Sequence, residues 1–284
     1  MGLRSQFTSR GSFPMAGPDI LALDFDGVVC DGLREYFQTA WRAYGEVFEP
    51  GAGAPPEGLA ERFYPLRPVV ETGWEMPLVL YGLMAGVPDG EILDRWSELV
   101  PQLLARAGVE PTALGQAVDG VRDRWIAQDM EGWLSYQRFY PGVIDRLRQM
   151  VADGIELVII STKEGRFIQQ LLTQGGLNLP GDGPLGPAPG DRILGKEVKQ
   201  PKYETLRQIQ AACGGQSIWF VEDRVKALQA VQRQPDLGDV GLFLAGWGYN
   251  TAADRAMATD GIYGLTLPQF CGPFAAWGRD RQAI

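Results

Sequence analysis

Apolar residues along this chain gather in short unbroken runs, each ended by polar residues. Leu21-Ala22-Leu23 stops at Asp24, residues 155–160 stop at Ser161-Thr162-Lys163, and Ile218-Trp219-Phe220-Val221 stops at Glu222-Asp223. A further run over 240–244 leads into Ala245-Gly246-Trp247-Gly248-Tyr249-Asn250. Continuous apolar runs of this length read as strands buried on both faces, as in parallel sheets. Between them the spacing changes to that of helices. Ile144, Leu147 and Val151 share one helix face before Gly154; Phe167, Ile168, Leu171 and Leu172 share another; Leu206, Ile209 and Cys213 a third. Strands alternating with helices predict an α/β fold with a doubly wound parallel-sheet (Rossmann-like) core.

The stretch 33–138 has a different character. Phe37, Ala40, Trp41 and Tyr44 recur at helical spacing, as do Ile92, Leu93, Trp96, Leu99 and Leu103, then Leu114, Val118, Val121 and Trp125. Pro and Gly punctuate these groups, densest over 50–58. The chain therefore divides into a core of residues 19–32 and 139–284 and an inserted all-helical domain at 33–138. Residues 1–18 carry Arg4, Arg10 and several Ser/Thr before the first acid, Asp19. That composition has something of a transit peptide but is short for one. A flexible tail is the expectation, with Met15 as a candidate start of translation.

The first run carries the chemistry. Alternation along a strand puts Asp24 and Asp26 on one side at its C-terminal end, where open α/β sheets bind ligands, and Gly27 allows the sharp turn away. Two crowded carboxylates favour either a divalent cation or separate roles as nucleophile and acid. The bland alternative is a strand followed by a solvated turn.

With its partners downstream, this segment resembles the first signature of the haloacid dehalogenase superfamily, the Asp-x-Asp phosphatases and phosphomutases. The resemblance makes Asp24 the nucleophile that forms an aspartyl-phosphate and Asp26 the general acid/base. Tyr140-Pro141-Gly142, helix, Gly154, apolar strand and Ser161-Thr162-Lys163 is similar to the second signature, with Ser161 and Thr162 as phosphate-binding hydroxyls or as caps of the next helix. The third signature supplies a lysine that offsets charge on the transferring phosphoryl group. Lys202, at the start of a helix, fills that role best, with Lys199 as the alternative. Asp223 matches the metal-binding acid of the fourth signature, and Glu222 replaces the usual Gly. The family places Mg²⁺ on Asp24, the backbone carbonyl of Asp26, and Asp223. The further acid of many relatives is missing, since Lys226 and Ala227 stand there, and Glu222 is the candidate substitute. The matches run from Asp24 to Asp223. A helical insert after the first signature is this family's type-1 cap, which closes over the site and chooses the substrate.

Composition narrows the function. The 284 residues are 45% apolar and carry a formal net charge of -9, which argues against broad nucleic-acid or anionic-membrane binding. Cys30, Cys213 and Cys271 lack metal or redox spacing and suit a reducing cytoplasm. There is no histidine, so Ser-His and Cys-His machinery is excluded. The first lysine is Lys163, so the insert has none for the Schiff base that carbon–phosphorus-cleaving relatives use. The Asp-Gly-Val turn is similar to that of β-phosphoglucomutases, but their His and Lys residues around the cap are absent. The resemblance thus implies a Mg²⁺-dependent phosphatase of the phosphoglycolate phosphatase-like branch, a monomer or homodimer acting on a small phosphorylated metabolite. A phosphomutase, or a degenerate binding or regulatory relative, is the alternative. Arg67 is the candidate cap cation for a substrate carboxylate or second phosphate. Its competing reading is a surface i,i+4 pair with Glu71, which would move the search to Arg34 or Arg138.

Overall fold

The computed structural model describes residues 17–179, 192–258 and 261–277. The tail expected over 1–18 and the Gly/Pro-rich stretch ending at Asp191 lie almost wholly outside them. Six parallel strands form the core sheet, in the order β5-β4-β1-β6-β7-β8: β1 (Ile20–Leu23), β4 (Glu156–Ile160), β5 (Ile193–Leu194), β6 (Ile218–Glu222), β7 (Gly241–Ala245) and β8 (Ile262–Leu265). A separate antiparallel pair, β2 (Cys30–Asp31) and β3 (Arg138–Phe139), joins the two chain crossings between core and insert.

The apolar runs are buried on both sides, and alternate residues feed two different cores. Leu21, Leu23, Leu157, Ile159, Trp219, Val221 and Phe243 pack on one face against α7 (Val143–Ala152), α8 (Gly165–Gln174) and α12 (Leu267–Cys271). Ile20, Ala22, Val158, Ile160, Phe220 and Leu242 pack on the other against α9 (Lys202–Cys213) and α10 (Val225–Gln232). Helix α11 (Ala252–Ala256) follows the loop after β7. This is a doubly wound α/β core. The strand at 193–194 has too few residues to stand out as an apolar run, and Gly264 interrupts the one at 262–265.

The insert is helical: α1 (Leu33–Val47), α2 (Leu59–Phe63), α3 (Glu75–Met84), α4 (Asp89–Ala107), α5 (Pro111–Gln128) and α6 (Met130–Leu134). Phe37, Trp41, Phe63, Leu80, Ile92, Leu99, Leu114 and Val118 form its own core, which Tyr249 of the sheet domain also joins. Its base packs instead with the sheet domain, where the Trp133 and Phe167 rings lie 4.7 Å apart. Residues 64–69 form a 3-10 turn, with Pro65 in its first turn and Pro68 inside it, where the missing N–H disfavours a regular α-helix. Among the described residues, no helix is long and apolar enough to cross a membrane.

Candidate active site

The C-terminal ends of β1 and β6 and the start of α9 converge on one cluster of charge. Asp24 follows β1 directly, and Lys202 opens α9 after Pro201. Lys202 Nζ lies 2.9 Å from Asp24 Oδ1 and 2.6 Å from Glu222 Oε2. A lysine at a helix N-terminus gains nothing from the helix dipole; these two carboxylates explain its placement. Asp24 is tied further by the Phe25 backbone N–H, which donates to Oδ1 over 2.8 Å. Glu222 Oε1 accepts the backbone N–H groups of Asp223 and Arg224 at 3.1 and 3.0 Å. Asp223 Oδ2 accepts the Tyr249 backbone N–H at 2.7 Å.

Two glycines permit this crowding. Gly27 has φ of 87°, and a Cβ there would meet Asp223 Oδ2 at 2.1 Å. A Cβ on Gly248 would meet Asp223 Cβ at 2.3 Å and the Gly27 carbonyl at 2.4 Å. Both are small because backbone and carboxylate must touch.

Asp24, Glu222 and Asp223 are all buried, and each offers a carboxylate oxygen within 4.8 Å of the others. Asp24 and Glu222 share the Lys202 ammonium, and Asp223 lies against them. Burial, then repulsion from Glu222, pushes Asp24 up to about 7 against the pull of Lys202. Burial raises Glu222 and Asp223 too, with each also repelled by a neighbouring acid. Burial works against the Lys202 charge, but Asp24 and Glu222 outweigh it and keep the ammonium protonated. A set of hard oxygens short of positive charge fits Mg²⁺, which favours a few carboxylates completed by water and substrate oxygens.

The remaining candidates scatter in position. Ser161 is buried at the end of β4, and its Oγ accepts the Lys163 backbone N–H at 3.3 Å. Thr162 is exposed. Lys199 is exposed at a φ of 51° and, among the described residues, forms no ion pair; it lies apart from the acid cluster that Lys202 joins. Asp26 faces Lys163, whose Nζ donates to Oδ1 and Oδ2 at 3.2 and 3.4 Å. Arg67 does not pair with Glu71. The 3-10 turn breaks the helical spacing such a pair needs, and Glu71 pairs with Lys226 instead. The Arg67 guanidinium lies 4.9 Å from the ring centroids of both Tyr36 and Tyr249 and donates to the Val70 carbonyl at 3.0 Å. Arg34 and Arg138 are exposed.

Several residues around the site carried no assignment from sequence. Arg224 Nη1 donates to the Pro68 and Val70 carbonyls, each at 3.1 Å, and so ties the loop after β6 to the helical insert. Glu35 is fully buried and accepts from Arg122 Nε at 2.9 Å, Thr39 Oγ1 at 2.6 Å and Trp133 Nε1 at 3.1 Å. Beside Asp223, a cavity of about 430 Å³ lies between insert and core, walled in part by Pro68, Trp96, Arg224 and Tyr249.

The parallel α/β sheet with a helical domain inserted after its first strand is a fold that the chain shares with solved structures described as haloacid dehalogenase-like hydrolases. Among solved structures, the chain is similar to a protein described as a haloacid dehalogenase-like hydrolase from Bacteroides fragilis, at 18% identity and a TM-score of 0.54, covering 89% of this chain and 99% of that one. It is similar also to a predicted phosphatase from Clostridium acetobutylicum, at 13% identity and a TM-score of 0.54, over 89% and 96% of the two chains. A predicted phosphoglycolate phosphatase from Haemophilus somnus aligns at 15% identity and a TM-score of 0.54, over 88% and 95%. No family model and no curated protein matches the sequence.

Proposed function

We propose that the protein is a Mg²⁺-dependent phosphatase that hydrolyses a small phosphate monoester through an aspartyl-phosphate on Asp24. The observation that carries this reading is the convergence of Asp24, Lys202, Glu222 and Asp223 at the ends of two adjacent strands. A buried carboxylate beside an ammonium and two further acids is poorly explained as structural support, because burying like charges is costly. As a nucleophile facing a dianionic phosphoryl group it is well placed. The fold shared with phosphatases adds support, as fold-level analogy.

Asp24 attacks phosphorus while the ester oxygen leaves, and Asp26 gives that oxygen a proton. Water then attacks the acyl-phosphate, returning a proton to Asp26 and freeing phosphate. Lys202 offsets negative charge on Asp24 and the transferring group, and Ser161 is the hydroxyl placed to bind a phosphate oxygen. Asp24, Asp223 and the Asp26 carbonyl would hold the Mg²⁺, with Glu222 beside them. The cation supplies charge neutralisation and fixes phosphoryl orientation. The docked helical insert excludes bulk water.

The substrate is a small phosphorylated metabolite, and the three free cysteines fit action in a reducing cytoplasm. A panel of phosphate monoesters, assayed for phosphate release with and without Mg²⁺, tests the proposal. Hydrolysis that requires Mg²⁺ and fails with Asp24→Asn supports it. Transfer of the phosphoryl group within the substrate, with no free phosphate, would point to a mutase. Binding without turnover would point to a regulatory relative.

A further inference from the structure

Lys163 is the one charged residue of the loop after β4 that turns inward, and it occupies a junction. Its side chain is 8% exposed. Nζ donates to both carboxylate oxygens of Asp26 and, at 3.3 Å, to Gln137 Oε1, and it sits 5.7 Å from the centroid of the Trp133 ring. Asp26 belongs to the core; Gln137 and Trp133 belong to the segment by which the chain returns from the helical insert. Among the described residues, Lys163 supplies the hydrogen bonds to the Asp26 carboxylate. The backbone sets this aim, since the Lys163 N–H is held by Ser161 Oγ. Fixing a long lysine stem costs side-chain entropy, and a buried ammonium demands partners, so this placement needs a gain to offset it.

We infer that Lys163 is a positioning residue: it holds the Asp26 carboxyl group in the orientation from which it exchanges a proton with the leaving oxygen. Gln137 and Trp133 tie that hold to the docked insert. The inference rests on the phosphatase reading. In the first half-reaction the Asp24–phosphorus bond forms, the ester bond breaks, and a proton moves from Asp26 to the departing alcohol. In the second, water adds to phosphorus, its proton passes to Asp26, and the acyl-phosphate bond breaks. Lys163 keeps its own protons throughout and touches neither phosphorus nor the leaving group.

This role makes the effect of losing Lys163 depend on the leaving group. An alkyl alcohol leaves poorly without a proton, whereas p-nitrophenolate needs little help. The test compares kcat and KM for alkyl phosphates and for p-nitrophenyl phosphate in the wild type, Lys163→Met, Lys163→Arg and Gln137→Leu. Lys163→Met should lower kcat on alkyl esters about 10²-fold, in the range of lost general acid–base catalysis. On p-nitrophenyl phosphate the loss should stay under about tenfold, with KM little changed. Lys163→Arg should restore most of the alkyl activity. Gln137→Leu, which keeps the ammonium, should show a weaker loss of the same pattern, and it carries the test if Lys163→Met does not fold. Equal losses on both ester classes, or an effect confined to KM, would overturn the inference while leaving the phosphatase reading intact. A wild type that releases phosphate from no ester would overturn that reading, and the inference with it.

Discussion

Lys202 Nζ stands 2.9 Å from the Asp24 carboxylate, across a sequence gap that only the parallel sheet closes. The same ammonium serves Glu222 at 2.6 Å. Removing it leaves buried acids without a counter-charge, which typically costs about 3–5 kcal/mol. Lys202→Ala should therefore lower both turnover and, without metal, the melting temperature. Lys199→Ala, at an exposed position outside the cluster, should change neither by much. Kinetics and thermal melts of the two variants check this, and the reverse ranking would transfer the role to Lys199.

Asp26→Asn should reduce turnover about 10²–10⁴-fold while leaving the fold intact, because the amide neither donates nor accepts the proton that the leaving oxygen and water require. The reduction should be greater for alkyl than for aryl phosphates. Steady-state kinetics on both classes provide the measurement.

The acid cluster should respond to metal. Asp223→Ala should weaken activation by Mg²⁺. Ca²⁺ should inhibit, because its larger and looser shell spoils in-line geometry. Since a ligand bound only to the folded state stabilises it, Mg²⁺ should raise the wild-type melting temperature and raise that of Asp223→Ala less. Full activity after complete chelation would contradict this.

The same cluster gives a pH dependence with a defined sign. Asp24 is raised from 3.8 to about 7, with burial as the largest cause. Between those values the folded protein binds more protons than the unfolded chain, so this group's contribution to stability falls as pH rises. Asp24→Asn removes that contribution. Without metal, its melting temperature should gain on the wild type as pH goes from about 4 to about 7, and added Mg²⁺ should narrow the difference. A gap independent of pH would show that Asp24 is not perturbed.

Arg224 donates two hydrogen bonds to the helical insert, whereas the Lys226–Glu71 pair lies exposed. Exposed pairs are worth about 0–1 kcal/mol, so Lys226→Ala should leave the insert docked. Arg224→Ala should speed amide exchange over residues 64–70 and raise KM. Exchange rates matching the wild type would mean that packing alone holds the two parts together.

The sequence makes some of this legible and hides the rest for physical reasons. Asp24, Ser161 and the Glu222-Asp223 pair each follow a short apolar run, so the shared direction of parallel strands places them at one edge of the sheet. Lys202 stands out because its helix-start position has no local reward. The Lys163–Asp26 contact spans 137 residues and the Arg122–Glu35 pair 87, and periodicity says nothing about such pairings. Arg67 and Glu71 have the spacing of a helical pair, yet Pro65 and Pro68 tighten the backbone and send Arg67 onto two tyrosine rings. Gly248 reads as an ordinary loop glycine until its contact with Asp223 is seen.

The central claim is that Asp24 becomes phosphorylated. Mass spectrometry of enzyme acid-quenched during turnover tests it directly. The account predicts one phosphoryl group on the peptide containing Asp24, released by hydroxylamine and absent from Asp24→Asn. Phosphate release with that peptide unmodified, or with the phosphoryl group on another residue, would contradict it.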